Sequence, residues 1–161
     1  EAVDLEFSNG QRREFERINN SNAGAVMVIP ITSDSLIMVR EYAVGSEQYE
    51  LGFVKGLIDP GEVPLEAANR ELKEEIGYGA RSISLIREVR LTPHYNTGIG
   101  HMLLAEDLYQ ESIEGDEPEP LEQLHWPLSD INALLDHPDI NDVRTLYALY
   151  WVRDHLQNRR L

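Results

Sequence analysis

Cysteine is absent from the 161 residues, which excludes disulfides, thiolate zinc and a cysteine nucleophile together. No apolar run approaches the ~18 residues of a membrane span and no signal-peptide pattern is present, so a soluble cytoplasmic protein with no membrane partner is expected. Cations are scarce: 14 Lys and Arg stand against 29 Asp and Glu, a formal charge of −15, and between Leu91 and Val143 there are twelve acids and no Lys or Arg. Binding to a nucleic-acid backbone needs clustered cations, so no nucleic-acid partner is expected, and an anionic substrate would need Mg²⁺ and a few placed arginines. Repeats and low-complexity segments are missing. His94, His101, His125, His137 and His155 never fall at metal-ligand spacing. What is present, 42% apolar and 27% charged residues, is ordinary globular composition for a single domain over 1–161.

The chain starts within an alternating pattern, Val3, Leu5, Phe7, so a native segment is expected to precede Glu1. It turns at Asn9-Gly10 and returns from Gln11 to Ile18, giving an N-terminal β-hairpin over about 1–20 with Arg12, Arg13 and Arg17 on its second strand. Edge-strand arginines also deter aggregation, which is the structural alternative. After a polar linker, Asn19 to Asn22, the apolar runs Ala25 to Ile31 and Leu36 to Val39 read as central strands. Further strands are expected over Ser82 to Leu91, His101 to Ala105 and Glu122 to Leu128. A short helix, Ile131 to His137, would be capped by Ser129, and a longer one, Asp142 to Asn158, by Asn141.

The densest signal lies between Gly56 and Tyr78. Pro64 suits a first helical turn and Gly77 a left-handed stop, so a helix is expected from Pro64 to Ile76. At 100° per residue Leu65, Ala68, Leu72 and Ile76 form an apolar stripe, and Glu71, Glu74 and Glu75 fall together on a neighbouring arc. Like charges at those spacings repel, and acids near a helix C-terminus oppose its dipole, so local stability does not account for them. Hard oxygen ligands on one face, with Glu62 able to fold back and Arg70 able to fix one acid, suit Mg²⁺ or Mn²⁺.

The spacing of Gly56, Glu62, Arg70-Glu71-Leu72, Glu74-Glu75 and Gly77-Tyr78 resembles the Nudix box at every specified position. That resemblance implies an α/β/α sandwich around a mixed β-sheet. It also implies Glu71 and Glu75 as the main metal ligands, Glu74 as an auxiliary and catalytic one, and the backbone carbonyl of Lys55 as a further one. Similarity continues through Arg40-Glu41-Tyr42-Ala43-Val44-Gly45, Tyr49-Glu50-Leu51-Gly52-Phe53 and Pro93 towards bacterial family members that act on ADP compounds. These are relatives of the ADP-ribose pyrophosphatases. It implies an enzyme, a pyrophosphatase that cleaves ADP-ribose, diadenosine di- and triphosphate or NADH to AMP and a phosphate ester, working as a homodimer whose hairpin reaches the partner's site. A non-catalytic sensor of ADP-ribose or dinucleotides is the alternative, and an RNA 5′-pyrophosphohydrolase is disfavoured by the missing basic surface.

Two departures from the ADP-ribose pyrophosphatase pattern bear on specificity: Ala43 stands where an arginine is usual, and the segment Glu50 to Gly56 is two residues longer. Selectivity for ADP-ribose alone is therefore not expected, and Arg12, Arg17 and Arg40 are the candidate substrate contacts. The acidic loop Gly115 to Pro120 resembles the loop that carries a glutamate base, which singles out Glu117 as the catalytic base and Glu119 as the second choice.

Overall fold

The computed structural model of the protein describes residues 1–20 and 24–158; part of the expected linker, residues 21–22, lies outside them. The hairpin forms as β1 (Ala2–Glu6) and β2 (Arg12–Glu16), antiparallel, with Gly10 at φ 79° in the turn. It is a sheet of its own, and its large apolar side chains Leu5, Phe7 and Phe15 are exposed. It joins the body through Ile18, whose N–H donates to the Tyr95 carbonyl at 2.7 Å.

The body contains a mixed four-stranded sheet in the order β6 (Val54–Leu57), β3 (Ala25–Pro30), β8 (Gly100–Gln110), β7 (Tyr78–Val89), in which only β3 and β8 run parallel. An antiparallel sheet orders β5 (Gln48–Gly52), β4 (Ser35–Ala43), β9 (Glu122–Pro127). The central strands read as unbroken apolar runs because both of their faces are covered. Val26, Val28, Ile37 and Val39 pack with Ala67, Ala68 and Leu72 of α1 (Pro64–Glu75). Met27, Ile29, Leu36 and Met38 pack instead with Leu134 of α2 (Ile131–Leu135) and Ala148, Leu149 and Val152 of α3 (Val143–Asn158). Helices therefore cover both faces of strands, the expected α/β/α sandwich with an added hairpin.

Several boundaries differ from the sequence expectation. Strands β7 and β8 extend to Tyr78 and Gln110, because their antiparallel ladder continues past the buried stretch. Asp130, not Ser129, precedes α2. Asp142 caps α3, its Oδ1 accepting the Arg144 N–H at 2.9 Å, while Asn141 donates to Glu50 at 3.0 Å. No helix of the described residues is long and apolar enough to cross a membrane.

Candidate active site

Helix α1 begins at Pro64, with Glu66 Oε2 accepting the Val63 N–H at 3.3 Å, and is stopped by Gly77 at φ 72°. Its buried side is Ala67, Ala68, Leu72 and Ile76; Leu65, expected on that stripe, is exposed because the stripe drifts to Ala67 at the first turn. Asn69 Oδ1 accepts the Ala80 N–H at 2.9 Å, which fixes the helix against β7.

Arg70 organises the acids around it. Its guanidinium donates to Glu62 Oε1 and Oε2 (both 3.1 Å), Glu71 Oε1 (2.7 Å), Glu74 Oε2 (3.0 Å) and the Leu57 carbonyl (2.8 Å). The hydrogen bonds from Arg70 hold Glu62 below the usual carboxylate range. Glu62 thus folds back as expected, but onto Arg70.

Glu71 and Glu75 face inward and are 8% and 9% exposed. Opposite them runs β6. A Cβ on Gly56 would lie 1.8 Å from Glu71 Oε1, so only glycine leaves room for that carboxylate. The Lys55 N–H donates to Glu75 Oε1 at 3.1 Å, while Glu75 Oε2 is buried without a hydrogen-bond partner among the described residues. Burial pushes Glu71 up to about 7 against the pull of Arg70, and Glu75 up to about 8 against the Lys55 N–H.

A buried, unpaired carboxylate oxygen beside a second desolvated acid is costly by itself and is relieved by a hard cation. The donor set therefore fits Mg²⁺ or Mn²⁺: Glu71, Glu75 and the main chain of Lys55. No three His, Cys, Asp or Glu side chains among the described residues are gathered into a metal-holding cluster, and Glu74 shares Arg70 Nη1 with Glu71.

Two further side chains complete the site, Glu41 and Lys55, of which sequence reasoning did not single out the Lys55 amine. Lys55 Nζ donates to Glu41 Oε2 and to the Phe53 carbonyl, each at 3.1 Å. The signal available in the sequence was alternation along β4: Val39 packs towards α1, so Glu41 does too, and Lys55 is one of only two lysines in the chain.

The acidic loop reaches this site. A Cβ on Gly115 would meet Glu74 Cβ at 3.1 Å, so the loop lies on α1. Burial, with the charges of Glu41 and Asp116, raises the pKa of Glu117. Glu119 is engaged elsewhere, accepting the Tyr49 hydroxyl at 2.8 Å.

The arginines fall in three places. Arg12 pairs with Glu6 at 2.7 Å and Arg17 with Glu1 at 2.5 Å, both on the exposed hairpin. Arg40, expected beside the phosphates, shares the face of Met38 and is drawn to Asp139 (2.5 Å) and Glu122 (3.2 Å), across the sheet from Glu41.

A layered α/β/α body that sets a glutamate-bearing helix against a glycine of a neighbouring strand defines the Nudix class. The chain belongs to the Nudix family: residues 21–149 match the NUDIX domain, and residues 1–17 match the NudE-type Nudix hydrolase N-terminal domain. Among particular relatives, it is 54% identical over 159 residues to the ADP compounds hydrolase NudE of Escherichia coli (strain K12), covering 99% of this chain and 86% of that one. It is 31% identical over 153 residues to the ADP-ribose pyrophosphatase of Bacillus subtilis (strain 168), covering 93% and 82%. A crystal structure of ADP compounds hydrolase superposes with a TM-score of 0.92 at 54% identity, covering 98% of this chain and 85% of that one.

Proposed function

We propose that the chain is a divalent-metal-dependent pyrophosphatase that hydrolyses ADP-containing compounds to AMP and a phosphate ester. The observation that carries this is the buried pair Glu71 and Glu75 against Gly56, in a chain similar to an ADP compounds hydrolase and an ADP-ribose pyrophosphatase. A sensor that only binds its ligand has no use for a buried carboxylate oxygen left unpaired.

Glu71, Glu75 and the Lys55 carbonyl would hold Mg²⁺, with Mn²⁺ as a substitute and Glu74 as an auxiliary ligand once released from Arg70. When bound, the metal neutralises the diphosphate and lowers the pKa of a water. The chain's own groups do the rest. Glu117 takes the proton of the attacking water on its carboxylate; burial and the neighbouring acids raise its basicity, as a general base requires. Arg70 keeps Glu71 and Glu62 in place, and Lys55 offers a second cation, beside Glu41.

The protein acts as a homodimer in this reading. A two-stranded ribbon is marginal alone, and the exposed Leu5, Phe7, Phe15 and Ile18 suit contact with a second copy. That contact would bring Arg12 and Arg17 to the partner's substrate, whereas Arg40 serves as a brace to Asp139 and Glu122. The setting is cytoplasmic, and the partner is a small anionic molecule rather than a nucleic acid.

The direct test is incubation with ADP-ribose, diadenosine diphosphate and NADH in Mg²⁺ or Mn²⁺, with AMP release as the readout. Release that stops on chelation is expected; binding of these compounds without any AMP would establish the sensor instead.

A further inference from the structure

The acidic loop that carries Glu117 is tied down unevenly. After β8 the chain runs without regular structure from Glu111 to Leu121, just before β9. Its first part is anchored on the end of α1: the Glu111 N–H donates to the Gly77 carbonyl at 3.0 Å, the Ile113 N–H donates to the Lys73 carbonyl at 3.3 Å, and Lys73 Nζ pairs with Glu111 at 2.7 Å. Gly115 then lies against Glu74. From Glu114 to Leu121, by contrast, no backbone group takes part in a hydrogen bond among the described residues, and the side chains share in a single one, from the Tyr49 hydroxyl to Glu119 Oε1 at 2.8 Å. Leu121 packs into the α1-side core.

The residue order explains why a side chain holds this stretch. Pro118 and Pro120 have no N–H to offer a neighbouring strand, so a ladder cannot form here. The same prolines remove freedom, because each fixes its own φ and disfavours helical backbone at the residue before it, Glu117 and Glu119. Few soft torsions remain between the two glutamates, and holding Glu119 orients Glu117.

Tyr49 is itself well supported. It stands in β5 opposite Tyr42 of β4, and the two rings meet edge to face at 5.4 Å. At the turn between these strands Ser46 Oγ and Gln48 Nε2 both donate to Glu50 Oε1, at 2.9 and 2.8 Å. The far end of β5 leads into β6, the strand of Lys55 and Gly56. The loop is therefore slung between α1 on one side of the site and β5 on the other, with Glu117 in the span. Glu41 and Lys55 are near enough for their charges to act on Glu117. An exposed hydrogen bond is modest in strength, yet it can set the position of a stretch that has no other.

We propose that Tyr49 is a positioning residue of the reaction: through its hydrogen bond to Glu119 it keeps the acidic loop over the site with Glu117 turned to the attacking water. This rests on the reading of Glu117 as the base.

Tyr49→Phe removes the hydroxyl and leaves the ring pair. With ADP-ribose and Mg²⁺ it should lower kcat about five-fold and leave KM within about two-fold, since the loop is displaced and the bound substrate is not. Glu119→Ala should match it, and the double variant should be no worse than either single one. Glu119→Gln, whose amide oxygen still accepts from the hydroxyl, should stay within about two-fold of the unchanged protein. Heteronuclear NOE values of the Glu117 and Glu119 amides should fall in Tyr49→Phe and in Glu119→Ala. Losses that multiply in the double variant, an unchanged kcat or unchanged NOE values in Tyr49→Phe, or a Glu119→Gln as damaging as Glu119→Ala would each overturn the proposal. Glu117→Gln separates the two readings. If it is silent, Glu117 is not the base, and the NOE values still decide whether Tyr49 holds the loop. If it is damaging, adding Tyr49→Phe should cost nothing further; an added loss would show that Tyr49 acts elsewhere and would overturn its role.

Discussion

The carboxylate of Glu71 occupies the space that a side chain on Gly56 would need, at 1.8 Å from the position of the missing Cβ. The atom in conflict is the end of a flexible side chain, so a methyl group there displaces the carboxylate and not the backbone. Gly56→Ala should fold with nearly unchanged circular dichroism and lose about 10²-fold in turnover, because a bound metal would lose a correctly placed ligand. Wild-type turnover at the Mg²⁺ concentration that just saturates the unchanged protein would show that the Glu71 position does not matter.

Glu75 gives a prediction in pH. Its folded pKa of about 8 lies above the ordinary value of 4.5, so between these limits the folded chain holds a proton that the unfolded chain has released. Stability of the metal-free protein should therefore fall as pH rises through that window, by up to about 1.4 kcal/mol per pH unit for one group. Thermal unfolding in chelator at pH 5.5 and pH 8 should show the fall in wild type, and Glu75→Gln should lessen it, leaving the part that Glu71, raised to about 7, contributes. The same substitution should cost about 10²-fold or more in turnover. A slope unchanged by Glu75→Gln would assign the effect to other groups.

Glu117 and Glu119 are separated by their partners, since Tyr49 holds only the second. Glu117→Gln should lower kcat by about 10²-fold with little change in KM and should remove the acidic limb of the pH–rate profile. Glu119→Gln should leave that limb in place. A silent Glu117→Gln beside a damaging Glu119→Gln would reverse the assignment.

The hairpin is tested through its apolar face. Phe7 and Phe15 meet edge to face at 6.3 Å and are exposed in the single chain. Phe15→Glu should shift sedimentation from dimer to monomer, and Arg17→Ala should raise KM more than it lowers kcat. A wild-type monomer would remove the contribution of a partner's hairpin altogether.

Much of the architecture is legible in the residue pattern because it depends on local rules. Pro64 and Gly77 bound α1, Asn9-Gly10 closes the hairpin, and the runs starting at Ala25 and Leu36 are apolar on both faces because two helical layers cover them. The acids at Glu71, Glu74 and Glu75 were likewise visible as a group with no local justification.

What the order of residues could not disclose was which partner each charge would choose. Glu74 and Glu62 turn to Arg70, and Arg40 turns to Asp139, 99 positions further on, because the α2–α3 connection comes to lie under β4. Glu41 meets Lys55 only once two sheets meet. Spacing along a helix determines which side chains can face one way, and therefore the acid cluster and the family. The pairing of charges distant in sequence is settled by packing of the layers, since a charge leaving water takes whichever opposite charge the fold brings within hydrogen-bond reach.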